Sequence, residues 1–367
     1  MQRPVFVLEK LKKAGYEAYF VGGCVRDTLL GRDVHDWDMT TSATPDEIMS
    51  VFPKCVPTGL QHGTVTVVEA GQMFEVTTFR SDGDYLDGRH PEQVTFVRNL
   101  RDDLSRRDFT VNAMAMDAEG NVTDLFGGRE DLEKGILRCV GSPETRFRED
   151  ALRMLRALRF SAQLDFAIET ETAAAIERCA VLSASLSAER VRDELEKTLL
   201  SPNPAVAGQM LRLGLLQAVG LVGETELNFL ADLPAERAVR WAGFFKACPG
   251  AEWETLRLDK KTGQTALCSA ALSDTARTEL DWKKLISHHG EDVARCTAAL
   301  DGQTERVENI LRSGDCLFLK DLAVSGRDFS DLRGREVGLV LNALLEHVLE
   351  HPEDNDREKL LDLWRKM

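Results

Sequence analysis

Asp36 and Asp38 stand one residue apart, shortly after the glycine pair Gly22-Gly23, within the stretch Ala18–Thr41 (AYFVGGCVRDTLLGRDVHDWDMTT). Ala18–Val21 is a short apolar run of β-formers, Val25–Leu30 has helical character, and Asp36-Trp37-Asp38 leads into Met39-Thr40-Thr41. The order reads as strand, glycine turn, helix, and then a strand carrying two carboxylates. A glycine turn before a helix lets phosphate oxygens approach the backbone, and a helix N-terminus attracts negative charge. On a strand, residues i and i+2 share a face, so the two carboxylates would lie side by side. Such a pair is costly without cations between them, and two Mg2+ held by carboxylates are a common device for phosphoryl transfer. A glycine pair alone is usually a turn, and Asp-x-Asp alone is usually a solvated pair. Together in this context they point to a phosphate-handling site.

The elements that must position these groups read as a mixed head followed by helices. Val5, Leu8, Leu11 and Ala14 recur at helical spacing. Thr44-Pro45-Asp46-Glu47 is a helix start, with Thr44 as N-cap and Pro45 at the first helical position. Thr64–Glu69 and Met73–Arg80 read as strands joined by Ala70-Gly71-Gln72, and Gln93–Val97 returns as another. Ser81–Pro91 (SDGDYLDGRHP) between them reads as a polar, glycine-rich loop. Glu75 falls in the second of these strands. It is either a third carboxylate, if that strand neighbours Asp36 and Asp38, or a surface residue of an edge strand. Arg107–Asp117 is expected to be a helix, and Glu144–Leu164 a longer one. Thr170–Arg178, Ala188–Leu200 and Asn203–Ala218 follow, then the helical stretch 227–300 and two final helices near Glu336–Glu350 and Asp354–Lys366.

A chain of 367 residues has the length for two or three domains. Its net charge of −15 argues against a general nucleic-acid coat, so any RNA partner must meet a local basic patch. The 8 cysteines form no Cys-x-x-Cys pair, which disfavours a zinc ribbon or a disulfide scaffold and fits reduced thiols in a cytoplasmic protein. Met1–Lys10 has no signal-peptide character, and no apolar run approaches the roughly 20 residues that span a bilayer. His288-His289 lacks metal-ligand spacing and reads as surface.

Further motifs accumulate in order: Gly22-Gly23-Cys24-Val25-Arg26-Asp27, Asp36-x-Asp38, Glu75-Val76-Thr77-Thr78-Phe79-Arg80, Arg106-Arg107-Asp108-Phe109-Thr110-x-Asn112-Ala113, Glu149-Asp150-x-x-Arg153-x-x-Arg156-Ala157-x-Arg159-Phe160, and Ala188-Glu189-Arg190-Val191-x-x-Glu194-Leu195. Their sequence and intervals resemble the bacterial-type class II tRNA nucleotidyltransferases, the CCA-adding enzymes, and their poly(A) polymerase relatives. The resemblance is dense from about residue 15 to 205, thin from about 225 to 315, and weaker again near Lys320–Asp328 and the last helices.

The resemblance implies an α+β nucleotidyltransferase head with a small, polymerase-β-like palm sheet over residues 1–138. A helical neck at 139–205, a body at 206–310 and a tail at 311–367 would follow. It implies template-independent extension of the tRNA 3′ end from CTP and ATP, with Mg2+ held by Asp36 and Asp38 and Glu75 as a candidate third carboxylate. Gly23, Arg26, Arg107, Arg156 and Arg159 match nucleotide-binding positions, and Asp150 and Arg153 match the readers of the incoming base. Cytosine and adenine both present an exocyclic amine donor beside a ring-nitrogen acceptor, whereas uracil and guanine present the reverse. A carboxylate paired with a guanidinium therefore accepts C and A and rejects U and G. At i and i+3 on the expected helix, Asp150 and Arg153 project from one face and can grip one base edge. Glu189, Arg190 and Glu194 would buttress that helix. Ser81–Pro91 looks like the family's flexible loop, which argues against a CC-only enzyme.

The nearest rivals are an A-adding enzyme or a poly(A) polymerase of the same superfamily, with a catalytically idle RNA-binding protein on this scaffold further off. His62-Gly63-Thr64-Val65-Thr66-Val67 and the absence of a strongly basic C-terminal extension favour CCA addition. No His-Asp phosphohydrolase module is visible, no membrane association is expected, and no protein partner is evident.

Overall fold

The computed structural model describes residues 3–69, 71–82 and 94–367. The chain begins with α1 (Val5–Lys13), β1 (Ala18–Val21), α2 (Gly23–Leu29), β2 (Met39–Thr41) and α3 (Pro45–Val51). The helix start at Thr44 forms as its residues dictate: Glu47 N–H donates to Thr44 Oγ1 at 3.4 Å, and Thr44 N–H donates to Glu47 Oε2 at 2.7 Å. Next come β3 (Cys55–Gly59), β4 (Thr64–Glu69), β5 (Gln72–Thr78), β6 (Arg80–Asp82) and β7 (Val94–Phe96). Ser81 and Asp82 of the expected glycine-rich loop belong to β6, and its remainder, Gly83–Pro91, lies outside the described residues. The head continues through α4 (Leu100–Ser105), β8 (Met114–Met116), β9 (Val122–Asp124) and α5 (Gly128–Lys134).

Among the described residues, seven strands form one mixed sheet in the order β3-β4-β5-β2-β1-β8-β9, and β6 and β7 pair separately. β2 runs antiparallel to β1 and parallel to β5, with Met39 opposite both Phe20 and Val76. One face packs Phe20, Met39, Val65, Val67, Phe74, Val76, Met114 and Met116 against the apolar sides of α1 and α3. The opposite face holds Val21, Phe79 and Ala115 against Leu100 and Leu104 of α4. The alternation of Met114, Ala115 and Met116 between the faces is the period-2 pattern of a strand.

Three expectations fail here. Arg107–Asp117 is not a helix: Thr110–Asn112 makes a single 3-10 turn, and Met114–Met116 is β8. Alanine and methionine favour helix in isolation, but pairing with β1 and β9 and burial on both faces override that preference. Asp36 and Asp38 do not lie within a strand, because β2 begins at Met39. They occupy the extended run entering it, where Val21 N–H still donates to the Asp38 carbonyl at 3.0 Å. Glu144–Leu164 is two helices, α6 (Pro143–Glu149) and α7 (Leu152–Leu164), following the two-residue β10 (Ile136–Leu137). The break is Asp150, with φ −146° and ψ 105°, whose carboxylate Oδ1 accepts from Leu152 N–H at 3.0 Å. A short acidic side chain that satisfies a free N–H of a new helix competes well with helix continuation.

β11 (Ala167–Ile168), α8 (Thr170–Cys179), α9 (Ala188–Leu199) and α10 (Val206–Arg212) complete the first compact unit, which ends at Leu221. The second, Val222–Met367, is helical: α11 (Arg237–Ala247), α12 (Lys260–Leu272), α13 (Glu279–His289), α14 (Glu291–Leu300), α15 (Thr304–Arg312), α16 (Arg335–Glu350) and α17 (Arg357–Lys366). One of its cores runs from Trp282 through Val307, Phe329 and Leu344 to Leu360. That core crosses residue 311, and α10 packs with α7 and α9. The two compact units divide between Leu221 and Val222. Among the described residues, no helix is long and apolar enough to cross a membrane.

Candidate functional site

The turn between β1 and α2 depends on one residue. Gly22 has φ 75° and ψ −138°, a conformation that side chains resist. It also faces a crowded spot, since a Cβ there would lie 3.2 Å from Arg107 Nη1 and 3.6 Å from Asp38 Oδ2. The glycine turn, a guanidinium and a carboxylate are thus gathered in one place. Asp36, Asp38 and Glu75 line one cleft of about 680 Å3 on the sheet. Loss of solvation is the main cause that raises the Asp38 carboxyl above its ordinary pKa; Arg107 opposes the shift and Asp36 adds to it. Asp38 is nonetheless open to solvent along one side, so the carboxyl is partly desolvated and accessible. Glu75 is an exposed residue of β5, which lies between β4 and β2 rather than at the sheet edge, one residue before the Val76–Met39 pair. Among the described residues, no three His, Cys, Asp or Glu side chains converge into a ready metal cage.

Cys24, inside the motif, is structural. Its thiol donates to the Val21 carbonyl at 3.1 Å, and burial, with the Asp38 charge, pushes it up to about 12.

Behind the turn runs a continuous polar chain. Gly23 opens α2. Buried Arg26 donates twice to Asp27, both at 2.9 Å, and once to Asn112 Oδ1 at 2.7 Å. Asn112 donates to Asp108 Oδ1 at 3.1 Å, and Asp108 Oδ2 accepts from Arg156 at 2.9 and 2.6 Å. Burial alone would raise the Asp108 carboxyl. The charge and hydrogen bonds of Arg156, with help from Asn112 and the Phe109 N–H, outweigh it and hold the group at about 2. Arg159 pairs with Glu194 of α9 and donates to Gln163 Oε1 at 2.7 Å. The Phe160 ring is the common surface: Arg26, Arg156 and Arg159 stand 5.0, 5.3 and 3.9 Å from its centroid.

Asp150 and Arg153 do not share one helix face, because Asp150 belongs to the break and Arg153 to α7. Each is anchored. Asp150 Oδ2 accepts from Arg190 of α9 at 2.8 Å. Arg153 donates to Glu149 Oε2 at 2.6 Å, to the Arg146 carbonyl at 3.2 Å and to the Arg106 carbonyl at 2.9 Å.

The family described as "Poly A polymerase head domain" matches residues 18–138, and that described as "Probable RNA and SrmB- binding site of polymerase A" matches residues 165–219. The CCA-adding enzyme of Geobacillus stearothermophilus is 40% identical over 386 residues, covering 98% of this chain and 95% of its own. That of Geobacillus kaustophilus (strain HTA426) is 39% identical over 382 residues, covering 96% and 94%. The chain belongs to the CCA-adding enzymes. The crystal structure of the Bacillus stearothermophilus CCA-adding enzyme in complex with CTP superposes with a TM-score of 0.85 at 36% identity, covering 100% of this chain and 99% of that one. The Thermotoga maritima CCA-adding enzyme complexed with tRNA shares the fold at a TM-score of 0.69 and 20% identity, covering 98% of this chain and 94% of that one. As in other CCA-adding enzymes, then, the activity of this chain is tRNA nucleotidyl transfer.

Within that family frame, one group of the site was not singled out from the sequence. Asp103 on α4 is fully buried. Its Oδ1 accepts from Arg106 at 3.1 and 2.9 Å, its Oδ2 accepts from Arg107 at 3.3 Å and Thr40 Oγ1 at 3.4 Å, and the Arg80 N–H reaches Oδ1 at 3.3 Å. Burial works against its ionisation, yet Arg106 and Arg107 hold the pKa below the ordinary value. The signal was present in Asn99-Leu100-Arg101-Asp102-Asp103, an N-cap followed by an acidic first turn. Asp108 stood within a recognised motif, but without a role of its own.

Proposed function

We propose that the chain adds CCA to the 3′ end of tRNA from CTP and ATP, without a nucleic-acid template, and releases pyrophosphate at each step. The observation that supports this most directly is the meeting of Asp38, Gly22 and Arg107 within one turn, beside Asp36 and the open cleft. Phosphoryl transfer asks a protein for positioning and charge stabilisation more than for covalent chemistry. This cluster offers both.

Asp36 and Asp38 would hold Mg2+. The donor set fits a hard, oxygen-seeking cation: two carboxylates open to the cleft, one of them raised in pKa by loss of solvation and by the charge of the other, against the opposing pull of Arg107. Divalent ions bound there would supply the charge that acidifies the primer hydroxyl and neutralises the leaving pyrophosphate. Glu75 lies beside them on β5 as an auxiliary carboxylate. Arg107, steered by Asp103, presents its Nη1 toward the turn as a triphosphate contact. Gly23, Arg26, Arg156 and Arg159 would frame the nucleotide from the network around Phe160.

Base selection falls to Asp150 and Arg153. Arg190 and the Leu152 N–H each occupy one lone pair of the Asp150 carboxylate, which leaves one on each oxygen to accept from an exocyclic amine. Arg153 would donate to the ring nitrogen. A mismatched edge leaves buried groups unpaired, at about 1–3 kcal/mol each. The eight free cysteines suit the cytoplasm.

The deciding experiment supplies purified protein with tRNA lacking its 3′ CCA, first with CTP alone and then with ATP. Two C additions followed by one A support the reading. A-only addition moves the chain to the A-adding enzymes, and a long A tail moves it to the poly(A) polymerases.

A further inference from the structure

Three guanidinium groups crowd one aromatic ring behind the glycine turn. The guanidinium carbons of Arg26, Arg156 and Arg159 stand 5.0, 5.3 and 3.9 Å from the centroid of Phe160. Phe160 is 6% exposed, and the fully buried Phe109, next to Asp108, meets it edge-on, with centroids 5.9 Å apart and ring planes at 84°. Packing against Phe109 thus orients the ring. Like charges gathered this closely repel: burial lowers the Arg159 pKa, Glu194 opposes the shift, and the charge of Arg156 adds to it.

The carboxylates that neutralise these cations lie on separate elements. Arg26 turns to Asp27 on its own helix, Arg156 to Asp108, and Arg159 to Glu194 of α9. Such pairs also consume N–H donors. Arg156 spends Nε and Nη2 on Asp108, while its Nη1 stays 4.0 Å from Glu194 Oε1, beyond hydrogen-bond reach. Contact with a π-face differs in kind. It attracts a guanidinium electrostatically and leaves the donors at its rim unspent. A polar side chain at position 160 would hold the same cations only by taking up donors that a phosphate needs. The cluster also borders the turn, since a Cβ on Gly23 would lie 3.5 Å from Arg26 Nη2. We infer that Phe160 is a positioning residue for the triphosphate: its ring keeps Arg26, Arg156 and Arg159 convergent while their rim donors stay available to phosphate oxygens. This role rests on the nucleotide-binding reading of those arginines above, and Phe160 acts through them rather than by touching the nucleotide.

The test compares Phe160→Leu and Phe160→Met, two apolar side chains without a π-face, with Phe160→Tyr, which keeps the ring. Dissociation constants for CTP and for CMP are measured by isothermal titration calorimetry, and thermal melting is followed for each variant. The ring-free variants are expected to weaken CTP roughly tenfold and CMP by less than about twofold, because only the triphosphate draws on all three arginines. Phe160→Tyr should bind CTP within about twofold of wild type. Equal weakening of CTP and CMP in the ring-free variants would make Phe160 an ordinary core residue and overturns the assignment. So does wild-type CTP affinity in those variants, or a loss of CTP affinity in Phe160→Tyr at an unchanged melting temperature. Binding needs no turnover, which separates this assignment from the nucleotidyl-transfer reading. A wild type that adds no nucleotide, but whose preference for CTP over CMP disappears in the ring-free variants, refutes that reading alone.

Discussion

Arg190 donates to Asp150 Oδ2 at 2.8 Å, tying α9 to the break between α6 and α7. Asp150 needs that tie because no helix fixes its backbone. An Arg190→Met variant removes the charge while keeping much of the side-chain volume. The expected outcome is a roughly tenfold fall in kcat/KM for both CTP and ATP, with the tRNA KM unchanged and UTP better tolerated. Parallel steady-state assays with CTP, ATP and UTP check it; an unaltered selectivity profile would show that Asp150 does not depend on this anchor.

Asp38 carries a sign that separates its chemistry from its structural cost. Its folded pKa is raised, so the folded state binds this proton more tightly than the unfolded chain does. Ionised Asp38 therefore detracts from stability near neutral pH. Asp38→Asn should melt at the same temperature as wild type or higher while adding no nucleotide, and Asp36→Ala should also be inactive and folded. Calorimetry alongside the addition assay tests both, and near-normal turnover in either variant would refute the metal assignment.

The Asp108–Arg156 pair has the opposite sign. With Asp108 held at about 2, below the ordinary carboxylate value, the ionised form is favoured by folding. That contribution is fully present above the unfolded pKa near 4 and is lost as pH falls from about 4 towards 2, on the order of 2 kcal/mol in all. Acid titration followed by circular dichroism should show the wild type losing stability across that window. Asp108→Asn should be less stable at pH 7 and show a shallower acid dependence.

How far the sequence discloses this arrangement depends on the range of the interaction. Local capping chemistry was legible: Thr44-Pro45-Asp46-Glu47 forms its capping box where expected. The glycine turn was legible too, because a strand-former run, Gly22-Gly23 and a helical run are adjacent in the chain. β8 was not, since Met114, Ala115 and Met116, of helix-favouring types, become strand only through their place between β1 and β9. The break at Asp150 was hidden by helix-favouring neighbours on both sides, and it is stabilised by Arg190 from a distant helix. Asp103 escaped notice because its importance lies in gathering Arg106, Arg107, Thr40 and the Arg80 backbone, which no spacing in the chain announces.

Asp103 makes a direct prediction of its own. A fully buried carboxylate that compensates two arginines cannot lose its charge cheaply. Asp103→Asn should cost about 3 kcal/mol by denaturant unfolding. Beyond that loss it should raise the CTP KM, because Arg107 is then free to swing toward Asp38. A variant that is destabilised but keeps the wild-type CTP KM would confine Asp103 to a structural role.

Gly22 and Gly23 are adjacent and chemically identical, yet they should respond differently to alanine. Gly22 occupies a positive-φ conformation, and a Cβ there would press Arg107 Nη1 at 3.2 Å and sit 3.6 Å from Asp38 Oδ2. The variant Gly22→Ala must either shift the turn or displace Arg107. Strain of about 1–3 kcal/mol is expected by denaturant unfolding, together with a steep loss of nucleotide addition. Gly23 lies in ordinary helical backbone, and a Cβ there would meet only the end of the Arg26 side chain at 3.5 Å, a normal contact. Gly23→Ala should therefore fold with near wild-type stability, since alanine favours the helix that begins there. Any activity it loses reports on close approach of the nucleotide to that backbone rather than on the turn. Equal destabilisation of the two variants would mean that the turn does not depend on the positive φ of Gly22.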